Sequence, residues 1–164
     1  MPDDRLRRLL GWALLAAVAA VAGVLLVRHA GGGAGSHSWL RASSTLTPGV
    51  VNPAVTQATI RSTICKRGWT RTIRPPTAYT TDLKRRQIAA WGLPGTVRDY
   101  QEDHLISLEL GGHPTDERNL WPEPHPYAEQ VDTFENALNR KVCSGRLTLA
   151  RAQAEEARRK HRSG

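Results

Sequence analysis

Scarcity defines this chain before any motif does. Of its 164 residues, two are cysteine, one is methionine and one is phenylalanine. Two cysteines exclude a disulfide-dense miniprotein, which needs several crosslinks in place of a core. Fourteen glycines are too few for a collagen, and ten prolines too many for one continuous coiled coil. Acid is also short: 15 Asp and Glu face 23 Lys and Arg, for a formal charge of +8. That excess favours an anionic partner, such as nucleic acid or an acidic membrane surface. Hydrophobic residues make up 40% of the chain and five residues are Trp, which argues against wholesale disorder. The length suits one domain.

The N-terminus reads as a targeting segment. Residues 1–8 carry Arg5, Arg7 and Arg8, and residues 9–27 are uncharged up to Arg28. A helix of that length rises roughly 28 Å, close to the hydrocarbon core of a bilayer. The run has no polar stripe to mark a core helix. It is expected to anchor the chain in a membrane with residues 1–8 cytoplasmic, or to be a cleaved signal peptide that releases a secreted domain. Residues 28–48 are rich in Gly, Ser, Ala and Thr and read as a flexible linker. The domain is then expected over residues 49–164. Cys65 and Cys143 stand in no metal-ligand spacing. They are candidates for a disulfide, which would imply an oxidising compartment, or for two buried thiols.

Charge is unevenly placed within the domain. Residues 61–86 hold eight Lys/Arg and one acid; residues 99–135 hold ten acids and one Arg; residues 140–162 hold eight Lys/Arg and two Glu. A carboxylate-rich centre between two basic arms suits a metal site that faces a polyanion. Local patterns predict a short helix within 55–64, an extended piece at 70–73 and a helix over 81–91. Two strand-like arms follow, at 100–110 and from 119, broken by Gly111-Gly112. Val131, Phe134, Leu138 and Val142 recur at helical spacing and predict an amphipathic helix over 127–142, ahead of a second over 148–161. The basic run 158–162 reads as a solvated helix end, and Trp69, Trp91 and Trp121 as core.

The chemistry concentrates in YQEDHLISLELGGHPTDERNLWPEPH, residues 100–125. In an extended arm, the neighbours Asp103 and His104 point to opposite faces. The carboxylate is suited to a hard divalent cation, and the imidazole to taking a proton from water. Asn119 has an amide able to fix either the His104 ring or the intervening loop. A further ligand is expected from the following helix, where Asp132, Glu135 and Asn136 are candidates.

DHLISLELGG followed by NLWPEP resembles the HNH-type endonucleases, the His-metal finger nucleases with a ββα-metal fold. More narrowly, it is similar to small bacterial exported or hypothetical proteins with the same core. In those, segments like ICKRGWTRTIRPPTAYTTDLKRRQIAAWGL and ENALNRKVCSGRLTL flank it. The resemblance covers about residues 47–153. It implies an α+β fold with a small hairpin–helix core and extra helices. It also implies that Asp103 is a metal ligand, His104 the general base, and Asn119 the residue that holds loop and base. Two features depart from the wider family: the place of a His or Asn early in the helix has no clear counterpart, since His125 is expected before the helix rather than in it, and zinc-knuckle cysteines are lacking. Glu135 is the expected third ligand, with Asp132 and His125 behind it.

The expected function is hydrolysis of nucleic acid phosphodiester bonds with little sequence specificity, DNA being the favoured substrate. The expected cofactor is a divalent metal, Mg²⁺ with Mn²⁺ or Zn²⁺ as alternatives, and no small-molecule cofactor. Arg67, Arg71, Arg74, Lys84, Arg85 and Arg86 are expected to hold the phosphate backbone. Two rivals remain on a degenerate HNH scaffold: a non-catalytic module that binds DNA or another polyanion, and an envelope structural protein.

Overall fold

The computed structural model describes residues 41–162. The expected anchor and most of the expected linker lie outside the described residues. Among the described residues no helix is long and apolar enough to cross a membrane. Over the described residues the architecture is α+β: a two-stranded antiparallel sheet with four helices. The helices are α1 (Trp69–Ile73), α2 (Thr77–Trp91), α3 (His125–Cys143) and α4 (Leu149–Arg162). The strands β1 (Tyr100–His104) and β2 (Leu120–Pro124) fall between α2 and α3.

The hairpin register reconciles two prolines with a strand. Tyr100 pairs with Pro124, Glu102 with Pro122 and His104 with Leu120. Just beyond, the Leu105 amide donates to the Asn119 carbonyl at 2.8 Å. In an antiparallel ladder, hydrogen-bonded pairs alternate with non-bonded ones, so Pro122 and Pro124 fall where no donor is needed. α2 clamps the hairpin through its backbone. Lys84 Nζ donates to the Tyr100 carbonyl at 2.5 Å, and Gln87 Nε2 to the Leu120 carbonyl at 2.9 Å.

The turn after β1 explains the Gly-Gly pair. Gly111 has φ of 79°, and a Cβ there would lie 2.5 Å from Val55 Cγ1. At Gly112 a Cβ would lie 1.7 Å from the Ile106 carbonyl oxygen. Neither position admits a side chain, because the chain passes against itself there.

α3 packs its predicted stripe inward. Val131, Leu138 and Val142 are buried, and Phe134 is half-buried beside them. Phe134, Leu138 and Val142 meet Val55, Ile60, Ile64, Ile106 and Leu110 from the preceding segments, and Leu149 and Ala152 from α4. A disulfide joins Cys65 to Cys143 at the end of α3, with 5.6 Å between their Cα atoms. Closing 78 residues of chain stabilises the fold by about 4 kcal/mol in the chain-entropy view.

Four expectations need correction. Residues 70–73, read as extended from Thr and Ile, lie within the helix α1. Tertiary context outweighs β-propensity in so short a piece. The helix expected within 55–64 is a series of turns. Thr59 Oγ1 donates to the Ala54 carbonyl and Thr63 Oγ1 to the Thr59 carbonyl, and such bonds compete with a regular helix. The strand-like arm expected over 100–110 stops at His104, and residues 108–110 form a single 3₁₀ turn. Residues 41–48 are not a free linker end: Ala42 and Thr47 are buried. The Ala42 amide reaches the Lys160 carbonyl, and His161 Nε2 lies 2.9 Å from the Thr47 carbonyl.

Candidate active site

Asn119 organises the loop between the strands. It is fully buried, and both ends of its amide are engaged. Oδ1 accepts from the amides of Ile106 at 2.9 Å and Val50 at 3.3 Å. Nδ2 donates to the carbonyls of Ile106 and His113, each at 3.0 Å. Of the two roles open to it, Asn119 takes the loop and makes no bond to the His104 ring. Two helices brace the same loop from behind. Asn139 Nδ2 reaches the Glu109 carbonyl at 2.7 Å, and Gln153 Nε2 the Leu110 carbonyl at 2.9 Å.

His104 depends on that loop. Its Nε2 lies 3.0 Å from the Pro114 carbonyl, next to the His113 carbonyl that Asn119 holds. A carbonyl only accepts, so Nε2 carries the hydrogen and Nδ1 keeps the lone pair in the neutral ring. Burial holds the pKa of His104 below the usual imidazole value, against the opposing pull of Asp103. His104 as a residue is 5% exposed. Arg74 lies near enough for its charge to contribute to the lowering.

Asp103 leaves the other face of β1, toward α3 and α4. There the ammonium of Lys160 gathers oxygens from three elements. Nζ lies 2.8 Å from Asp103 Oδ2, 2.5 Å from Glu135 Oε1 and 3.6 Å from Glu156 Oε1, and it donates to the His104 carbonyl at 2.5 Å. Glu123, one register step along β2, is 1% exposed and adds a fourth carboxyl to the surroundings. Burial raises the Glu123 pKa to about 8 and that of Glu135 to about 10, and it raises Glu156 as well. Burial opposes the charge on Lys160, but Asp103, Glu135 and Glu156 outweigh it and hold the ammonium well above its ordinary pKa. Lys160 therefore stays charged at neutral pH, held by the carboxylates around it.

All the donors in this cage are oxygen, the chemistry a hard divalent ion prefers. Glu156 Oε2 is buried without a hydrogen-bond partner. As arranged, the carboxylates surround an ammonium; among the described residues no three His, Cys, Asp or Glu side chains are placed to hold a metal ion directly. The ammonium stands at the centre of this oxygen set.

Of the expected helix ligands, Glu135 reaches the cage. Asp132 and Asn136 are exposed and joined to each other, Asn136 Nδ2 donating to the Asp132 carbonyl at 2.7 Å, and His125 is exposed at the first position of α3. Of the basic residues, Arg67, Arg71, Arg74 and Arg85 are exposed. Arg86 is engaged with Glu117 at 3.1 Å and Asp82 at 3.5 Å, and Lys84 is half-buried against the Tyr100 carbonyl. A cavity of about 300 Å³ lies between α2 and residues 117–118; Leu83, Gln87 and Trp91 line it, and Asp103 and His104 do not.

Lys160 and Glu156 escape a reading of local pattern, because both are charged. Their signal is positional: Leu149, Ala152, Glu156 and Lys160 follow one another at 3, 4 and 4 residues, so the apolar stripe of α4 continues into two ionisable residues. Lys160 is thus an exception within the run read as a solvated helix end. Comparison with protein-family models, with curated proteins and with solved structures finds no match for the chain.

Proposed function

We propose that the domain is a metal-dependent phosphodiesterase of the HNH type that cuts nucleic acid, with DNA the favoured substrate. One observation carries this reading: a neutral imidazole whose Nε2–H is fixed to the Pro114 carbonyl, next to a carboxylate committed to a cation cage on the adjoining position of β1. Fixing Nε2 leaves Nδ1 as the base, and a lowered pKa keeps that base unprotonated at neutral pH. His104 would take a proton from water as it attacks the phosphorus. Asn119 would act through the loop, by holding the His113–Pro114 backbone against which the ring is set. Asp103 and Glu135, with Glu156 behind them, would hold a Mg²⁺ or similar ion. Such an ion supplies charge neutralisation at the phosphate. Arg67, Arg71, Arg74 and Arg85 would hold backbone phosphates without reading bases, so affinity should fall steeply with salt. The Cys65–Cys143 disulfide favours a site of action outside the cytoplasm, either membrane-tethered or secreted.

The test is nicking of supercoiled plasmid by the purified chain with Mg²⁺, Mn²⁺ or Zn²⁺, with EDTA as control. Metal-dependent nicking that His104→Ala abolishes is the expected result; equal nicking by that variant excludes His104 as the base. A second reading, a binding module without catalysis, is favoured by the Lys160 ammonium inside the cage and by the burial of His104. It requires DNA binding with no cleavage under any of the three metals.

A further inference from the structure

The feature of the cage that the proposed chemistry leaves unused is its occupant. Lys160 belongs to the last turn of α4, yet only 2% of its surface is exposed. Its side chain turns inward rather than toward solvent beside Arg158 and Arg159, which are both exposed. The ammonium touches Asp103 from β1, Glu135 from α3 and Glu156 one turn earlier in α4, and it donates to the backbone at His104. Asp103 and Glu135 are the two carboxylates assigned to the metal above. An ammonium at 2.5–2.8 Å from both occupies the point an ion would need, and two cations cannot share it. The surrounding acid exceeds what one ammonium needs: four carboxyl groups, of Asp103, Glu135, Glu156 and Glu123, act on it, and Glu156 Oε2 is buried without a hydrogen-bond partner.

We propose that Lys160 is an internal counter-cation that occupies the metal position, so that a divalent ion binds only when this side chain withdraws and Lys160 sets the metal affinity of the site. The proposal rests on the reading of Asp103 and Glu135 as a cation site. It does not require that the site cuts nucleic acid. The competing account is a purely structural ion-pair network that fastens α4 to the hairpin. The two differ in what the cage does when the ammonium is gone. A cation site then takes up a divalent ion, whereas a structural network is simply broken.

The experiment compares the full chain with Lys160→Met, a side chain of similar length without charge. Each is purified in detergent, melted in EDTA and in Mn²⁺, and titrated with Mn²⁺ by calorimetry. The wild-type melting temperature is expected to be the same in both conditions. Lys160→Met is expected to melt lower in EDTA, to recover most of that loss in Mn²⁺, and to bind Mn²⁺ at least ~10-fold more tightly than wild type. The double variant Asp103→Asn/Lys160→Met is expected to lose the recovery. Equal Mn²⁺ affinity in wild type and Lys160→Met, or no binding by Lys160→Met, overturns the proposal. Should Lys160→Met fail to fold in EDTA, refolding in Mn²⁺ supports the proposal, and failure there too counts against it. Wild-type chain provides a second readout, the broadening of the amide signals of residues 103 and 135 by Mn²⁺. Broadening at micromolar Mn²⁺ with the ammonium in place overturns the proposal; its absence there supports it. Tight Mn²⁺ binding by Lys160→Met without any nicking would refute the nuclease reading and leave the role of Lys160 standing. Nicking by wild type at micromolar metal would do the reverse.

Discussion

Two lysines approach the same hairpin from opposite sides, and they differ in almost every respect. Lys84 comes from α2, is half-buried, and gives its ammonium to one carbonyl, that of Tyr100. Burial lowers its pKa. Lys160 comes from α4, is wholly buried, and is nevertheless driven to a higher pKa, because carboxylates of Asp103, Glu135 and Glu156 face it. Burial alone does not decide whether an amine stays charged; the partners that burial brings with it do. The same contrast separates the two residues of interest on β1. His104, on the α2 side, is kept neutral, while Asp103, on the α4 side, is committed to a cation.

Breaking each side should give very different costs. Lys160→Ala in EDTA leaves several buried carboxyls without their cation and should lower stability by about 3–5 kcal/mol. Lys84→Ala removes one hydrogen bond to a carbonyl and should cost about 1 kcal/mol. Urea unfolding of both variants checks this order, and equal losses would mean that the cage is no stronger a tether than the single bond. Next in size is Asn119→Ala, which strands the amide and carbonyl of Ile106 and frees the His113 carbonyl. It should cost about 2–3 kcal/mol and slow nicking through the displaced Pro114 carbonyl. Asn119→Asp should not rescue it, since a carboxylate cannot donate to those two carbonyls.

The smallest expected effect concerns pH. Burial, and then the charge of Glu156, raises the Glu109 pKa to about 7 from an ordinary 4.5. The folded chain therefore holds a proton that the unfolded chain has released, and the Glu109 contribution to stability falls as pH rises from about 4.5 to about 7, then levels off. Glu109→Gln removes that fall. Because Glu109 is only partly buried, the gain over wild type above pH 7 should be roughly 1 kcal/mol. Chemical unfolding at pH 5 and pH 8 reads it as a difference that grows with pH; a constant difference would show that Glu109 does not titrate in this window.

The parts of the fold carried by local period were legible in the sequence. The stripe Val131, Phe134, Leu138 and Val142 marked α3, and alternation along β1 put Asp103 and His104 on opposite faces. Gly111-Gly112 marked the turn because no other residue fits against Val55 and the Ile106 carbonyl. What local period does not encode stayed hidden. Lys160 meets Asp103 across 57 residues, and nothing near either residue announces the other. Ala42 and Thr47 pack against the fold although their surroundings have a linker's composition. The basic arm at 84–86 reads as one patch, yet Lys84 is spent on the hairpin backbone and Arg86 on Glu117 and Asp82.

The most direct test of the nuclease reading is the nicking rate of His104→Gln beside wild type, at saturating metal and at neutral pH. A glutamine amide nitrogen can keep the bond to the Pro114 carbonyl while offering no basic nitrogen where Nδ1 stands. The account expects a loss of at least ~100-fold with the melting transition retained. A rate within a few-fold of wild type in a folded variant would contradict it.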